Sequence, residues 1–392
     1  MKDKSTDLEY IAKTFHGLEE VLAEELKEIG AKNIKLLRRA VAFSGTVETL
    51  YKANYQIRTA LSILKNIDEF EVRTETELYD NVYKIDWYRY FDIGKTISVN
   101  VVLSDSNISH SHFAALKAKD AIVDKFRYQF GSRPDVDTKN PNIIVDILIN
   151  KNRAILSLNS SGKPLFKRNY RQNVALAPLN EVLAAGLIKL SGWKADGDFI
   201  DPMCGSGTLP TEALMIAMKI PAQYYRSRAD YCFTYWTDYD FTIWKRVVNS
   251  ANANISEFEH RVIANDISKE HTDIAYENFK FAKLHKDIEI YNSDIIDLKP
   301  DLDKDAKGTI IINPPYGERI KSESLLDLYS KIGDSLKTNF PGFDAWVISS
   351  DVQAIKNIGL KTNARLEVFN GPLKCKFHNY NIVEGKMENQ DE

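Results

Sequence analysis

The sequence predicts an α/β protein: a doubly wound, largely parallel sheet in the C-terminal half, preceded by smaller α+β modules. Three observations predict it. From Asn180 onward, short β-branched runs alternate with helical stretches, the order that builds parallel strands with helices on both faces. Before that point helices and strands mix without such regularity, and each is short. The 392 residues are 44% apolar and 27% charged, the ordinary balance of a soluble chain long enough for two or three domains.

Taken in order, "FHGLEEVLAEELKEIGA" puts Leu18, Val21, Leu22, Leu26 and Ile29 on one stripe and predicts an amphipathic helix ended by Gly30. "KNIKLLRRAVAFSGT" reads as extended and hairpin-like, and "VETLYKANYQIRTALSIL" as a further helical stretch. A second module begins with strand-like "ILKNIDEFEV" and passes through the alternating "KTISVNVVLSDS". It then enters a helix at "HFAALKAKDAIVDKFRYQFG", where Ala114, Leu116, Ala118, Ala121, Ile122 and Phe126 recur near helical spacing. "NIIVDILINKNRAILSLNSSG" closes it as two strands around a polar turn. The expected domains are residues 1–65, 66–162 and 179–385, with a basic linker at 163–178.

In that linker, Lys163, Lys167, Arg168 and Arg171 surround Phe166 and Tyr170, a composition that suits phosphates and stacked bases; a solvated connector is the alternative. Charge is uneven along the chain. Residues 1–175 hold 27 Lys+Arg against 23 Asp+Glu, a net +4, whereas residues 176–392 hold 25 against 32, a net −7. The total of −3 argues against a protein that coats a polyanion everywhere.

In the C-terminal half, "DPMCGSGT" lies between a strand and a helix. It is not a P-loop, which needs a lysine and a hydroxyl residue after its last glycine where this chain has Thr208 and Leu209. It also lacks the third glycine of a dinucleotide fingerprint, since position 210 is proline. A sulfonium compound with an amino group, such as S-adenosylmethionine, fits better: glycines let the backbone approach, and Asp201 ends the strand. Asp266, ending "RVIAND", is placed to accept from ribose hydroxyls, and Asp294, in "NSDIID", from the adenine amine. A lone aspartate after a strand is normally a turn former or cap. Three on consecutive strands beside one glycine turn favour a site.

"IINPPYGERI" ends the next strand, because proline cannot donate to a sheet ladder. An exocyclic amine on a base is a weak nucleophile, its lone pair being delocalised into the ring. The Asn313 side-chain carbonyl and the Pro314 main-chain carbonyl could accept its two N–H bonds and direct the lone pair at a methyl donor. Tyr316 would stack on the base, worth about 1–3 kcal/mol. Carbon-5 methylation of pyrimidines is excluded here, since it needs a cysteine beside the base.

These stretches resemble a known family. "DPMCGSGT", "NPPYGER" and "APLNEVLAAGLI" are similar to the THUMP-containing class I methyltransferases that modify guanine N2 in RNA, the bacterial 23S rRNA type in particular. "HGLEEVLAEELKEIGA", "HFAALKAKDAIVDKF", "LFKRNYR" and "GPLKCKF" extend the resemblance over nearly the whole chain. It implies a C-terminal Rossmann-like sheet behind ferredoxin-like and THUMP modules, S-adenosyl-L-methionine as cofactor, and structured RNA as partner: rRNA first, tRNA second. It implies cofactor contacts from Asn180 and Glu181; from Asp201, Pro202, Met203, Cys204, Gly205, Ser206, Gly207 and Thr208; and from Asp266, Ile267, Asp294 and Ile295. Asn313, Pro314, Pro315 and Tyr316 become the target-base site, and Lys167, Arg168, Tyr170 and Arg171 RNA contacts. An adenine-N6 DNA methylase shares the motif quartet, and an inactive RNA-binding assembly factor is a third reading.

No export signal or membrane span is expected, and the three scattered cysteines fit a reducing, cytoplasmic setting. His110, His112 and the Cys375/His378 pair lack metal-site spacing. The nine aromatic residues of "YYRSRADYCFTYWTDYDFTIWKRV" read as core packing, with base stacking as the alternative.

Overall fold

A computed structural model describes residues 7–171, 178–303, 305–315 and 322–383. The chain divides into two compact units that exchange segments along the sequence. The first takes residues 1–14, 22–167 and 226–250; the second takes 15–21, 168–225 and 251–392.

The first unit is built on one seven-stranded sheet. In chain order it contains β1 (Leu8–Lys13), α1 (Glu19–Glu28, shared at its start with the second unit), β2 (Lys32–Leu37), β3 (Ala40–Gly45) and α2 (Val47–Gln56). Then come β4 (Ser62–Glu71), α3 (Glu75–Lys84), β5 (Ile97–Ser104), α4 (Ser111–Phe130), β6 (Ile143–Asn150) and β7 (Arg153–Asn159). The strand order is β2-β3-β1-β4-β7-β6-β5, antiparallel except for the β5–β6 pair. The expected boundary at residues 65/66 falls inside β4, which pairs with β1 on one side and β7 on the other, so the two modules share a ladder.

Local chemistry explains the helix ends. Thr74 caps α3 by accepting from the Glu77 amide at 3.2 Å, while the Glu77 carboxylate accepts from the Arg73 amide at 2.7 Å; this reciprocal pair starts a helix that the apolar pattern alone did not reveal. Gly131, at φ +72, ends α4 in the left-handed cap position. On α4 the stripe Ala114, Ala118, Ala121, Ile122 and Phe126 is buried as expected, but Leu116 is exposed.

The aromatic stretch after residue 225 does pack as core, but in this first unit. Tyr231, Phe233, Trp236 and Trp244 are buried, and Phe233 stands 4.7 Å from the Tyr51 ring of α2. Arg226 ties the segment down, its guanidinium donating to the carbonyls of Ser161, Lys163, Pro164 and Asp230.

The second unit contains α5 (Glu181–Leu190), β8 (Asp198–Asp201), α6 (Thr208–Ala217), the end of α7 (Phe241–Asn252), β9 (Val262–Asn265), α8 (Lys269–Phe281), β10 (Ile288–Tyr291) and β11 (Gly308–Ile312). It continues with α9 (Ser322–Asn339), β12 (Asp344–Ser349), α10 (Val352–Lys356), β13 (Ala364–Asn370) and β14 (Leu373–Asn381). The order is β10-β9-β8-β11-β12-β14-β13, parallel as expected save for β14, which runs antiparallel to both neighbours. Alternate residues feed opposite cores. Phe199, Ala264 and Ile311 pack with α5, α6 and α8, while Ile200, Ile263, Ile310 and Ile312 pack with α9 and α10. Burial on both faces is why these strands read as continuous apolar runs.

Candidate functional site

Parallel register brings the carboxyl ends of four strands to one edge. Asp201 lies opposite Ala264, Tyr291 opposite Asn265, and Gly308 opposite Asp198. Asp201, Asp266, Asp294 and Asn313 therefore emerge along the rim β10-β9-β8-β11, which is roughly 14 Å wide at the usual strand spacing. Beyond that rim is a cavity of about 390 Å³, a size in the range of small-molecule sites. Its walls include Asp201, Pro202, Met203, Cys204, Gly205, Ser206, Thr208, Asp266, Ile267, Asp294, Ile295, Asn313 and Pro315.

The two glycines of the turn do different work. Gly205, at φ +54, has open space where a side chain would begin, so it leaves room in the cavity. Gly207, at φ +82, is absent from the cavity wall: a Cβ there would stand 2.4 Å from the Phe279 ring of α8. Its lack of a side chain serves helix packing, a role that the expected cofactor contact did not include.

Asp266 is held in place before any ligand arrives. Its Oδ2 accepts from the Gly205 amide at 2.9 Å and its Oδ1 from the Ser268 amide at 2.9 Å, with His271 Nδ1 at 3.3 Å. Oδ1 is met by both Ser268 and His271, whereas Oδ2 has the Gly205 amide alone and keeps a lone pair for a further donor such as a hydroxyl. Asp201 is 1% exposed and accepts from the Met203 amide at 3.1 Å. Burial pushes its pKa well above the usual carboxylate range; the Met203 amide opposes this and the Asp266 charge adds to it. A cation placed beside these acids would relieve both penalties. Burial likewise pushes the Cys204 thiol upward, so it is a packed, protonated wall residue.

Asn265, at the end of β9, escaped the sequence reading. Fully buried, it donates to the carbonyls of Pro202 and Ser293 and accepts from the Ser293 amide, fastening the loops after β8 and β10 to each other. His271, Ser268, Leu209, Pro178 and Leu179 also line the cavity without having been singled out. Only the strand-end position of Asn265 could have flagged it; the others depend on how helices and loops dock.

Asn313 follows β11, and its Oδ1 is buried without a hydrogen-bond partner among the described residues. An unmet amide carbonyl at such a position forfeits about 1–3 kcal/mol until a donor reaches it. Pro314 is buried and Pro315 half-buried on the wall, while Tyr316 lies outside the described residues. Ile267 is 69% exposed at the cavity, an apolar surface suited to a flat ring.

Several expected contacts go elsewhere. Asn180 and Glu181 do not line the cavity: the Asn180 side chain caps α5 by accepting from the Val182 amide at 2.9 Å, and Glu181 pairs with Arg171. Three of the four linker residues expected to meet RNA have partners within the second unit. Arg168 and Glu212 form an ion pair at 2.7 Å with both side chains 0% exposed, and the Tyr170 hydroxyl donates to the same Glu212 oxygen at 3.0 Å. Arg171 donates to Thr208 Oγ1 at 3.2 Å beside the glycine turn. Arg168 and Tyr170 are buried and committed to Glu212, while Arg171 is half-buried between Glu181 and Thr208. Lys167 is exposed, and residues 172–177 lie outside the described residues.

Among the described residues no cluster of three or more His, Cys, Asp or Glu could hold a metal, and no helix is long and apolar enough to cross a membrane.

Comparison with known proteins agrees with this layout. Residues 168–379 match the family described as RMKL-like, methyltransferase domain; residues 72–159 match the THUMP domain, and residues 9–64 the RlmL ferredoxin-like domain. A Synechocystis protein provisionally named an RNA methyltransferase is 35% identical over 96% of this chain and 98% of its own. The ribosomal RNA large subunit methyltransferase K/L of Psychromonas ingrahamii is 36% identical over 96% of this chain, which spans only 50% of that relative. A methyltransferase crystallised with SAH superposes with a TM-score of 0.87 at 28% identity, covering 97% of this chain and 99% of its own. A methylase from Clostridium difficile 630 does so at 0.87 and 29%, covering 98% and 100%.

Proposed function

The chain belongs to the RMKL-like methyltransferase family, and from that premise we propose that it methylates the exocyclic N2 of a guanine in RNA, with 23S ribosomal RNA as the substrate. S-adenosylmethionine, when bound, supplies an electrophilic methyl group on a positively charged sulfur. The cavity suits that donor on three counts: the buried acids Asp201 and Asp266, the room left at Gly205, and the exposed Ile267.

The observation that carries the reading is the unpartnered Asn313 Oδ1 on the same cavity as the acids. In this reading it accepts one N–H of the guanine amine, the Pro314 carbonyl accepts the other, and Tyr316 stacks on the ring. Holding both N–H bonds draws the nitrogen out of conjugation and aims its lone pair into the cavity. The amine grows acidic as its new bond forms, so no strong base is required at the start. A stacked base cannot enter, so the nucleotide must be unpaired or flipped.

The RNA partner is supported by the match to a THUMP domain and by the names of the relatives. In the first unit, Lys139, Lys163 and Lys167 line a polar cavity with Asn100, Asn142 and Tyr235, and Lys167 keeps its proposed phosphate role there. Incubating the protein and labelled donor with unmodified 23S rRNA, tRNA or duplex DNA, followed by nucleoside analysis, tests the reading. We expect N2-methylguanosine from rRNA and far less of it from an Asn313→Ala variant, whose kcat falls roughly 100-fold or more while donor affinity holds. N6-methyladenine in the DNA sample instead would overturn it.

A further inference from the structure

A strongly basic groove lies in the acidic C-terminal half of the chain. Lys356, Lys361, Arg365, Lys376 and His378 line a recess of about 870 Å³, with Glu367 the one carboxylate among its wall residues. Glu367 is already shared between Lys374 at 2.9 Å and Lys376 at 3.0 Å. Among the described residues no carboxylate pairs with Lys356, Lys361 or Arg365. Burial, then Arg365 and Lys376, push the His378 imidazole below its usual pKa, which agrees with a positive local potential.

Strand alternation builds this groove. Cys375 and Phe377 of β14 point into the core, which turns Lys374, Lys376 and His378 to the other face. Across the ladder, Arg365 lies opposite His378 and Glu367 opposite Lys376. α10 closes the recess, burying Ile355 and ending in exposed Lys356.

Register locates the groove relative to the site. Ile312, Val347, His378 and Arg365 form one row across β11, β12, β14 and β13, and Asn313 is the residue after Ile312. Two to three strand spacings place Lys376 and Arg365 roughly 10–15 Å across the sheet from Asn313, too far to touch the target base and close enough to reach its neighbours in the same strand. Unneutralised like charges held together on a domain of net negative charge are best explained by a polyanion that neutralises them.

We propose that this groove grips the phosphodiester backbone of the RNA strand that presents the target guanine, a few nucleotides from it. The inference rests on the RNA reading above. The test uses the full chain with unmodified 23S rRNA and the triple variant K356E/K361E/R365E, whose positions are all exposed. Losing about three phosphate contacts should flatten the slope of log affinity against log salt by about 2, at ~0.7 per phosphate on a single strand. KM for RNA should rise tenfold or more, with kcat at saturating RNA, donor affinity and Tm unchanged. A variant with the wild-type salt slope and KM overturns the groove assignment while leaving the methyltransferase reading standing. Inorganic phosphate binding that the variant abolishes, with the RNA slope unmoved, would assign a small-anion site and overturn it too. Wild-type protein that methylates no RNA sinks the underlying reading whatever the variant does.

Discussion

Substituting each glycine of the turn by alanine separates packing from binding. At Gly207 the added methyl meets the Phe279 ring at 2.4 and 2.6 Å and the Ala275 Cβ at 3.2 Å, all within a buried helix contact. Left-handed backbone costs an alanine about 1–2 kcal/mol and overpacking a core about 1–3 kcal/mol, so Gly207→Ala should lose roughly 2–5 kcal/mol. At about 2–4 °C per kcal/mol for a domain of this size, Tm falls by roughly 4–20 °C. Gly205→Ala carries only the backbone term, about 1–2 kcal/mol, but projects a methyl into the cavity. Its Tm should drop by a few degrees while donor affinity falls tenfold or more. Thermal unfolding and calorimetric titration with the donor read both effects, and Phe279→Leu should restore part of the stability lost at Gly207. If Gly207→Ala kept its Tm and lost the donor, the division of labour would be refuted.

Further outcomes follow from the same geometry. Asp201→Asn removes a buried carboxylate whose folded pKa is raised; because the unfolded chain ionises first, the wild type loses stability as pH rises above about 4, and the Tm advantage of the variant should widen between pH 4 and 7. The same variant should bind the sulfonium donor more weakly than wild type, and equal affinity would remove Asp201 from the site. Arg168→Ala strands a buried Glu212 and should destabilise by about 3–5 kcal/mol. The RNA salt slope of its folded fraction should not change; a shallower slope with an unaltered Tm would restore Arg168 to the RNA surface.

The parts of the fold read correctly are those whose causes are local. Ile310 to Ile312 followed by Asn313 and two prolines announce a buried strand that must stop, and α4 carries its own stripe and glycine stop. What the sequence did not show depends on distant partners. Arg168 and Tyr170 look the same in sequence whether they face a phosphate or Glu212, which is 44 positions beyond Arg168. Gly205 and Gly207 share one turn, and only the docking of Phe279 tells them apart. Likewise the aromatic stretch after residue 225 declared that it needed burial, but nothing in it named Tyr51 as its companion.

That stretch also governs how the molecule can be made. The first unit takes residues 226–250 and gives up 15–21, so no single cut in the gene separates two complete halves. A ribosome adding about 5–20 residues per second finishes the first sheet at residue 159, yet must synthesise 91 more before the last piece of that unit exists, a delay of roughly 5–18 s. Until then Tyr51 and its buried neighbours wait uncovered, and a fragment ending at residue 167 should be found with chaperones or in aggregates.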